Sequence, residues 1–305
     1  MSVDWIAVDW GTSNLRAWAI GRDGNTVHEA SSPQGMAKLK REEFEPALLA
    51  LIGGWLAAGQ KTLVVACGMV GARQGWIEVP YAEAPCPPAS AQSARSPQTG
   101  DPRLDVRIIA GVMQREPADV MRGEETQIAG LLEQAPGFDG VICMPGTHTK
   151  WVRVKGGKIV NFKSCMTGEV FGLLAEQSVL RFSVKSDGMG DGWDDTEYEN
   201  AVRNALAQPE GFAGALFSIR AASLIAGLSQ AAANARLSGL TIGTELAGTK
   251  RYWFNGVSII DNGQQAALYA TALKIAGATT TLLPAQDVTL AGLRAARPNL
   301  VKETT

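Results

Sequence analysis

Three short stretches carry side chains suited to handling an anion. Residues 6–18, IAVDWGTSNLRAW, read as a strand ending at Asp9, a turn of Gly11, Thr12, Ser13 and Asn14, and a second strand bearing Arg16. A Gly-Thr turn offers backbone N–H groups unobstructed by a bulky side chain, plus a hydroxyl, which is the equipment of a phosphate cradle. Asp9, two residues ahead of the turn, suits Mg²⁺, an ion that binds few protein carboxylates and keeps much of its water. By itself the segment is equally well a structural hairpin. In RGEETQIAG, Arg122 precedes Glu124 and Glu125 at the start of an amphipathic helix, where acidic residues complement the helix dipole. The loop GMVGARQGW follows the β-branched run TLVVAC, at the strand end where α/β sheets gather ligands. Its glycines 68, 71 and 75 let backbone approach a small polar ligand, and Trp76 is either a pocket wall or a core residue.

The elements that must position these residues are legible in part. Residues 6–30 pattern as an antiparallel meander, EEFEPALLALIGGWL as a helix, and TLVVAC as a buried strand. Residues 84–103, rich in Pro, Ser and Ala, read as a mobile loop or lid with no core role. Sliding the sequence by 135 residues lays IAVDWGTSNLRAWAIGRDG over VICMPGTHTKWVRVKGGKI, with matching strands and turns. Gly11 and Thr12 meet Gly146 and Thr147, so the chain contains two related halves, each opening on a Gly-Thr hairpin. Asp9 has Met144 as its counterpart, while His148 and Lys150 replace Ser13 and Leu15. Two facing turns of this kind, one with a carboxylate, would clamp a polyphosphate. There is no GxxxxGK[ST] and no GxGxxG between strand and helix.

Further along, LTIGTELAGTKRYW reads as a strand, a Gly-Thr-Glu turn and a helix, and VSIIDNGQQAALYATALKIAG as a last strand and a helix with Leu268, Thr271, Ala272 and Ile275 on one face. RAASLIAGLSQAAA and ANARLSGL read as structural, an outer helical layer of the second half. SDGMGDGWDD lacks the spacing of a calcium loop and reads as a loop leading to an Asp195 or Thr196 N-cap.

A chain of 305 residues exceeds the ~250–300 at which one core stops growing, so two lobes are expected. With 28 basic against 30 acidic residues, no overall field favours nucleic acid or an anionic membrane. Four scattered cysteines and two histidines give no disulfide framework or zinc motif, and no apolar run is long enough to span a bilayer, so a cytoplasmic protein is expected.

The segments AVDWGTSNLRAW, CGMVGARQGW, MRGEETQIAG, MPGTHTKWV, MTGE and LSGLTIGTELA, in this order, resemble the actin-like ATPase superfamily of sugar kinases, Hsp70 and actin. Within it they are most similar to the 2-dehydro-3-deoxygalactonokinases. The resemblance spans residues 7–247 and implies an α/β fold of two ribonuclease-H-like lobes with the active site in the cleft between them. The expected boundaries are 1–120 for the first lobe, 121–135 for an inter-lobe helix, 136–286 for the second lobe, and 287–305 for a C-terminal segment. It further implies ATP-dependent phosphorylation of 2-dehydro-3-deoxy-D-galactonate on its 6-hydroxyl, with ATP and Mg²⁺ as cofactors. Glu124 or Glu125 would take the hydroxyl proton and Asp9 would serve the metal. Gly11, Thr12, Ser13, Gly146, Thr147, His148 and Lys150 would meet phosphate, with His148 and Lys150 equally readable as structural. Gly243, Thr244 and Glu245 would support adenosine, although the second glycine usual there is missing. Asn14, Arg16, Gly68, Met69, Gly71, Gly75, Trp76 and Arg122 would face the sugar acid, and Glu169 of MTGE would touch substrate or cap a helix. A phosphohydrolase of the exopolyphosphatase type and a nucleotide-dependent assembly module are the competing readings. The partner implied is a small sugar acid, not nucleic acid or membrane; the assembly state stays open, with a homodimer as candidate.

Overall fold

The structure is a computed structural model that describes residues 2–89, 93–185, 190, 192–261 and 263–302. The chain forms two compact units: Met1–Phe138 with Lys155–Asn161 and Ala285–Thr305, and Asp139–Val154 with Phe162–Pro284.

In the first unit, strands β1 (Val3–Trp10), β2 (Leu15–Gly21), β3 (Thr26–Ser32), β4 (Thr62–Gly68) and β6 (Leu104–Ile108) form one sheet in the order β3-β2-β1-β4-β6. β1 to β3 are antiparallel neighbours, and β4 and β6 run parallel to β1. The central strands are covered on both faces, so they are apolar almost throughout. Ile6, Val8 and Trp10 pack with Phe44, Leu48 and Ile52 of α1 (Phe44–Ile52). The alternate residues Trp5 and Ala7 pack with Ala129 of α2 (Glu124–Gln134) and Leu293 of α8 (Ala285–Lys302). The period of two that splits these cores also carries Asp9 to the α2 and α8 face. Short strands β5 (Ala82–Glu83), β7 (Val112–Gln114) and β8 (Asp119–Met121) form a second small sheet.

The second unit repeats the main sheet. Strands β9 (Gly140–Met144), β10 (Thr149–Lys155), β11 (Lys158–Cys165), β12 (Val257–Ile260) and β13 (Thr280–Leu283) lie in the order β11-β10-β9-β12-β13, with β9 antiparallel to β10 and parallel to β12. The duplicated hairpin inferred from the 135-residue offset is therefore one part of a duplicated five-stranded sheet. Helices α3 (Thr167–Gln177), α4 (Asp195–Ala207), α5 (Phe212–Ile225), α6 (Gln230–Trp253) and α7 (Gln264–Ile275) complete the unit.

Several expectations are corrected. LTIGTELAGTKRYW holds no strand or turn; it is the second half of the 24-residue helix α6. Its Gly243 lets α4 approach closely: a Cβ there would sit 2.8 Å from Ala205 Cβ and 2.9 Å from the Val202 carbonyl oxygen. Burial along α6 also makes it a central element, not an outer layer. The alanine-rich run is divided, with α5 stopping before Gly227 at φ +67° and Ser229 capping α6 by accepting from the Ala232 N–H. The cap of α4 is Asp194, which accepts from the Glu197 N–H, while 186–189 and 191 of the acidic stretch lie outside the described residues. On α7 the buried face is Ala266, Tyr269, Ala272 and Leu273, so only Ala272 of the expected stripe is buried. The segment 84–103 is anchored where it is described: Glu45 accepts the N–H groups of Gly100 and Asp101, Arg95 bridges to Ile108, and Ala89 is buried in the α8-side core. The helix 124–134 and the C-terminal helix α8 both belong to the first unit, where a Cβ on Gly130 or Gly292 would overlap the backbone of the other helix.

Gly243→Ala should cost about 2 kcal/mol of stability through overpacking against α4. In the same helix Gly248 faces open space, and Gly248→Ala should add ~0.5–1 kcal/mol by propensity alone. Urea unfolding of the two variants checks the pair.

Candidate active site

Asp9 is the penultimate residue of β1, opposite Arg16 on β2 and Cys67 on β4. Its Oδ2 accepts from Arg16 Nη2 at 2.9 Å and Oδ1 faces the weak donor Cys67 Sγ at 3.9 Å. Burial raises the Asp9 pKa; the Arg16 charge opposes this and Glu124 adds to it. Thus Asp9 and Glu124 share one electrostatic environment. Arg16 belongs to Asp9 in this arrangement.

The meeting of β4 with α2 rests on two glycines. Gly68 ends β4 at φ +89° and Gly123 precedes α2 at φ +107°, both in the region that favours glycine. A Cβ on Gly68 would sit 2.6 Å from the Trp10 carbonyl oxygen, and one on Gly123 would sit 3.4 Å from Gly68 Cα. With Gly123 turned this way, both carboxylates fold back over the helix start: Glu124 Oε2 accepts the Arg122 N–H at 3.0 Å and Glu125 Oε2 accepts the Gly123 N–H at 2.7 Å. These two side chains then differ sharply. Glu125 is fully buried, also accepts from the Thr126 hydroxyl, and has its pKa pushed up to about 8 by burial and then by the neighbouring Glu124 charge. Glu124 is half-exposed.

The Gly11–Asn14 turn presents Thr12, Ser13 and Asn14 to solvent while its backbone is fixed from behind. The carbonyls of Gly11, Thr12 and Ser13 accept from the N–H groups of Met36, Ala37 and Gly35 at 3.0, 3.0 and 3.2 Å. A side chain at Gly35 would overlap the backbone of Thr12 and Ser13. Gly35 is thus a supporting residue that sequence reasoning missed; its signal is a lone glycine just after the third strand.

The loop after β4 is a 3-10 turn, Met69–Gly71, folded back so that Gly75 lies against the Val70 carbonyl. Trp76 is 7% exposed and packs against Phe44 and Trp10, in the core of this unit. Arg122 is 9% exposed, donates to the Val79 carbonyl at 2.8 Å and lies over the Tyr81 ring at 4.3 Å. Its Nη1 occupies the space that a Gly71 side chain would fill, and its Nε and Nη1 are buried without a hydrogen-bond partner. Such a cation is costly to hold and leaves a positive charge beneath the loop.

In the second unit the Gly146-Thr147 turn follows β9 and is backed in the same way: Gly168, at the start of α3, leaves no room for a Cβ against Gly146 and Thr147, and the Glu169 N–H donates to the Thr147 carbonyl at 3.0 Å. The Glu169 carboxylate contacts His148 Nε2, and it makes no side-chain cap. Lys150 is buried, its Nζ on the His148 carbonyl at 3.0 Å. Gly243, Thr244 and Glu245 form no turn; Gly243 packs on α4, Thr244 donates to the Leu240 carbonyl, and Glu245 is buried. Beside this turn lies a cavity of about 150 Å³ whose lining includes Gly168, Phe171, Trp193, Gln264, Gln265 and Tyr269. Except for the MTGE segment none of these was named as a site residue from the sequence, because they come from two separate helices and the loop before α4.

Glu125 predicts a pH signature. Its folded pKa lies above its ordinary 4.5, so the folded state holds the proton more tightly and stability is lost as pH rises from 4.5 through about 8. Glu125→Gln should flatten that slope in thermal unfolding measured across this range.

The comparisons agree with the geometry. The family model described as 2-keto-3-deoxy-galactonokinase matches residues 9–296. A Rhizobium meliloti (strain 1021) protein provisionally named 2-dehydro-3-deoxygalactonokinase DgoK1 is 37% identical over 297 residues, 96% of each chain. The Escherichia coli (strain K12) protein named 2-dehydro-3-deoxygalactonokinase is 30% identical over 96% of this chain and 97% of its own. A crystal structure from Sinorhizobium meliloti, provisionally described as a 2-dehydro-3-deoxygalactonokinase, superposes with a TM-score of 0.87 at 37% identity, covering 96% of this chain and 95% of that one. With a match across nearly its whole length, the chain belongs to the 2-keto-3-deoxy-galactonokinase family and is a sugar-acid kinase.

Proposed function

We propose that the protein transfers the γ-phosphoryl group of ATP to the 6-hydroxyl of 2-dehydro-3-deoxy-D-galactonate, giving the 6-phosphate and ADP. The observation that carries this reading is the approach of Gly123 to Gly68, which brings the start of α2, with its half-buried Glu124, to the strand ends that hold Asp9 and Trp10. The names of the two curated relatives support the substrate.

In this reading Glu124 is the group that receives the proton of the attacking hydroxyl, because Glu125 is sealed from solvent and committed to Gly123 and Thr126. Glu125 shapes the helix start. The sugar acid lies on the loop 68–76, with Asn14 exposed on the neighbouring turn, and the buried Arg122 guanidinium beneath the loop, whose Nε and Nη1 have no hydrogen-bond partner, favours an anionic substrate. Trp76 supports that loop from the core.

Nucleotide phosphate is assigned to the Gly-Thr turns: half-buried Gly11 with exposed Thr12 and Ser13 in the first unit, and half-buried Gly146 with exposed Thr147 and His148 in the second. Lys150 supports the second turn through its backbone. The nucleoside is assigned to the 150 Å³ cavity, where Trp193 and Phe171 supply flat apolar surface and Gln264 and Gln265 supply amides. That cavity shares Thr167 and Thr241 with a second cavity, of about 270 Å³, that Thr244 and Glu245 of the site expected at 243–245 line.

Asp9 fits a metal held largely by water and phosphate: no group of three acidic, cysteine or histidine side chains converges among the described residues, and a single carboxylate suits Mg²⁺. When bound, Mg²⁺ would offset charge on the transferred phosphoryl group. We place the enzyme in the cytoplasm and keep the homodimer as its proposed assembly.

A coupled ADP-release assay over a panel of sugar acids tests the reading. The expected result is release stimulated by 2-dehydro-3-deoxy-D-galactonate and lowered by at least ~100-fold in Asp9→Asn. ADP release indifferent to every sugar acid would favour the phosphohydrolase and overturn the kinase assignment.

A further inference from the structure

We propose that Glu245 is a positioning residue of the nucleotide pocket, tying β10, α3 and α7 into one rigid wall. The inference rests on the assignment of the nucleoside to the 150 Å³ cavity.

Glu245 projects from the middle of α6 and is 7% exposed, yet its carboxylate is densely hydrogen-bonded. Oε1 accepts from Trp151 Nε1 of β10 at 2.6 Å. Oε2 accepts from the Tyr269 hydroxyl of α7 at 2.8 Å and from the Thr167 hydroxyl at the first residue of α3. Because its O–H donates to Glu245, the Tyr269 hydroxyl oxygen accepts from the Thr149 hydroxyl of β10 at 2.8 Å. One side chain therefore joins four elements; burial raises its pKa, and the hydrogen bonds from Thr167, Trp151 and Tyr269 oppose that rise by favouring the charged carboxylate.

What the cluster holds is the wall of the cavity. Thr167 and Tyr269 both line it. Thr167 also fixes the start of α3, and the next two residues meet the second Gly-Thr turn: Gly168 lies against Gly146, the Glu169 N–H donates to Thr147, and the Glu169 carboxylate holds His148. Loss of the Glu245 bonds would loosen the cavity and the turn together. A carboxylate that served the fold alone would gain nothing over an apolar residue of similar size, since burying a charge is costly even when it is paired.

The test is isothermal titration of ADP, with the KM values for ATP and for the sugar acid, on wild type and Glu245→Gln. Glutamine keeps the shape but reverses part of the hydrogen-bond pattern. The ADP Kd and the ATP KM should rise together by about tenfold, with the sugar-acid KM within about twofold of wild type. Thr167→Val and Tyr269→Phe, which each remove one donor to Glu245 and leave the carboxylate in place, the second also freeing Thr149, should shift the ADP Kd in the same direction by smaller factors. They carry the test if Glu245→Gln does not fold. A lower melting temperature with unchanged ADP affinity in all folded variants would overturn the role of Glu245. Failure of wild type to bind ADP would overturn the nucleotide assignment itself.

Discussion

Everything in the first unit's site depends on the close approach of two glycines. Gly68 at the end of β4 and Gly123 before α2 lie against each other with positive φ, and a side chain at Gly68 would collide with the Trp10 carbonyl. That contact brings a helix start to the end of the central strands. It also frees the backbone N–H groups of Arg122 and Gly123 for Glu124 and Glu125, so the two carboxylates are held by the chain they belong to. The cost is visible in the raised pKa values of Asp9 and Glu125 and in the unmatched donors of Arg122. Strain and uncompensated charge of this kind persist where binding or catalysis makes use of them.

The second unit shows what a duplicated sheet becomes when its carboxylates are removed. The turn after β9 is built like the turn after β1, each backed by a glycine following the third strand. Yet Met144 stands where the first unit has Asp9, and the buried acid of this unit, Glu245, spends its oxygens on Trp151, Thr167 and Tyr269. The same strand order therefore carries an aspartate at the end of its first strand in one copy and a hydrogen-bonded cavity wall in the other.

The sequence made the hairpins legible because strand alternation and glycine turns are local signals, and the offset of 135 residues amplified them. It made the carboxylates of α2 legible as a pair but not as individuals, since the burial that separates Glu125 from Glu124 comes from distant packing. The misreading of LTIGTELAGTKRYW has a related cause. Glycine and β-branched residues argue against a helix locally, whereas Gly239 and Gly243 are there to admit α4. Gly35 escaped notice because nothing around it is periodic or motif-like, and Trp193 and Gln264 because the stretches that hold them read as a loop and a core helix; only the fold brings each to its turn or cavity. Conversely, Trp76 looked like a pocket wall because an aromatic beside glycines reads the same whether it faces ligand or core.

The central claim is that two adjacent glutamates have opposite duties, Glu124 meeting substrate and Glu125 shaping the helix start. The most direct test is the kcat of Glu124→Gln and Glu125→Gln, each shown to be folded, at saturating ATP and sugar acid. The account predicts a loss of about 10²–10⁴-fold for Glu124→Gln and less than about tenfold for Glu125→Gln. An equal loss in both, or the greater loss in Glu125→Gln, would contradict it.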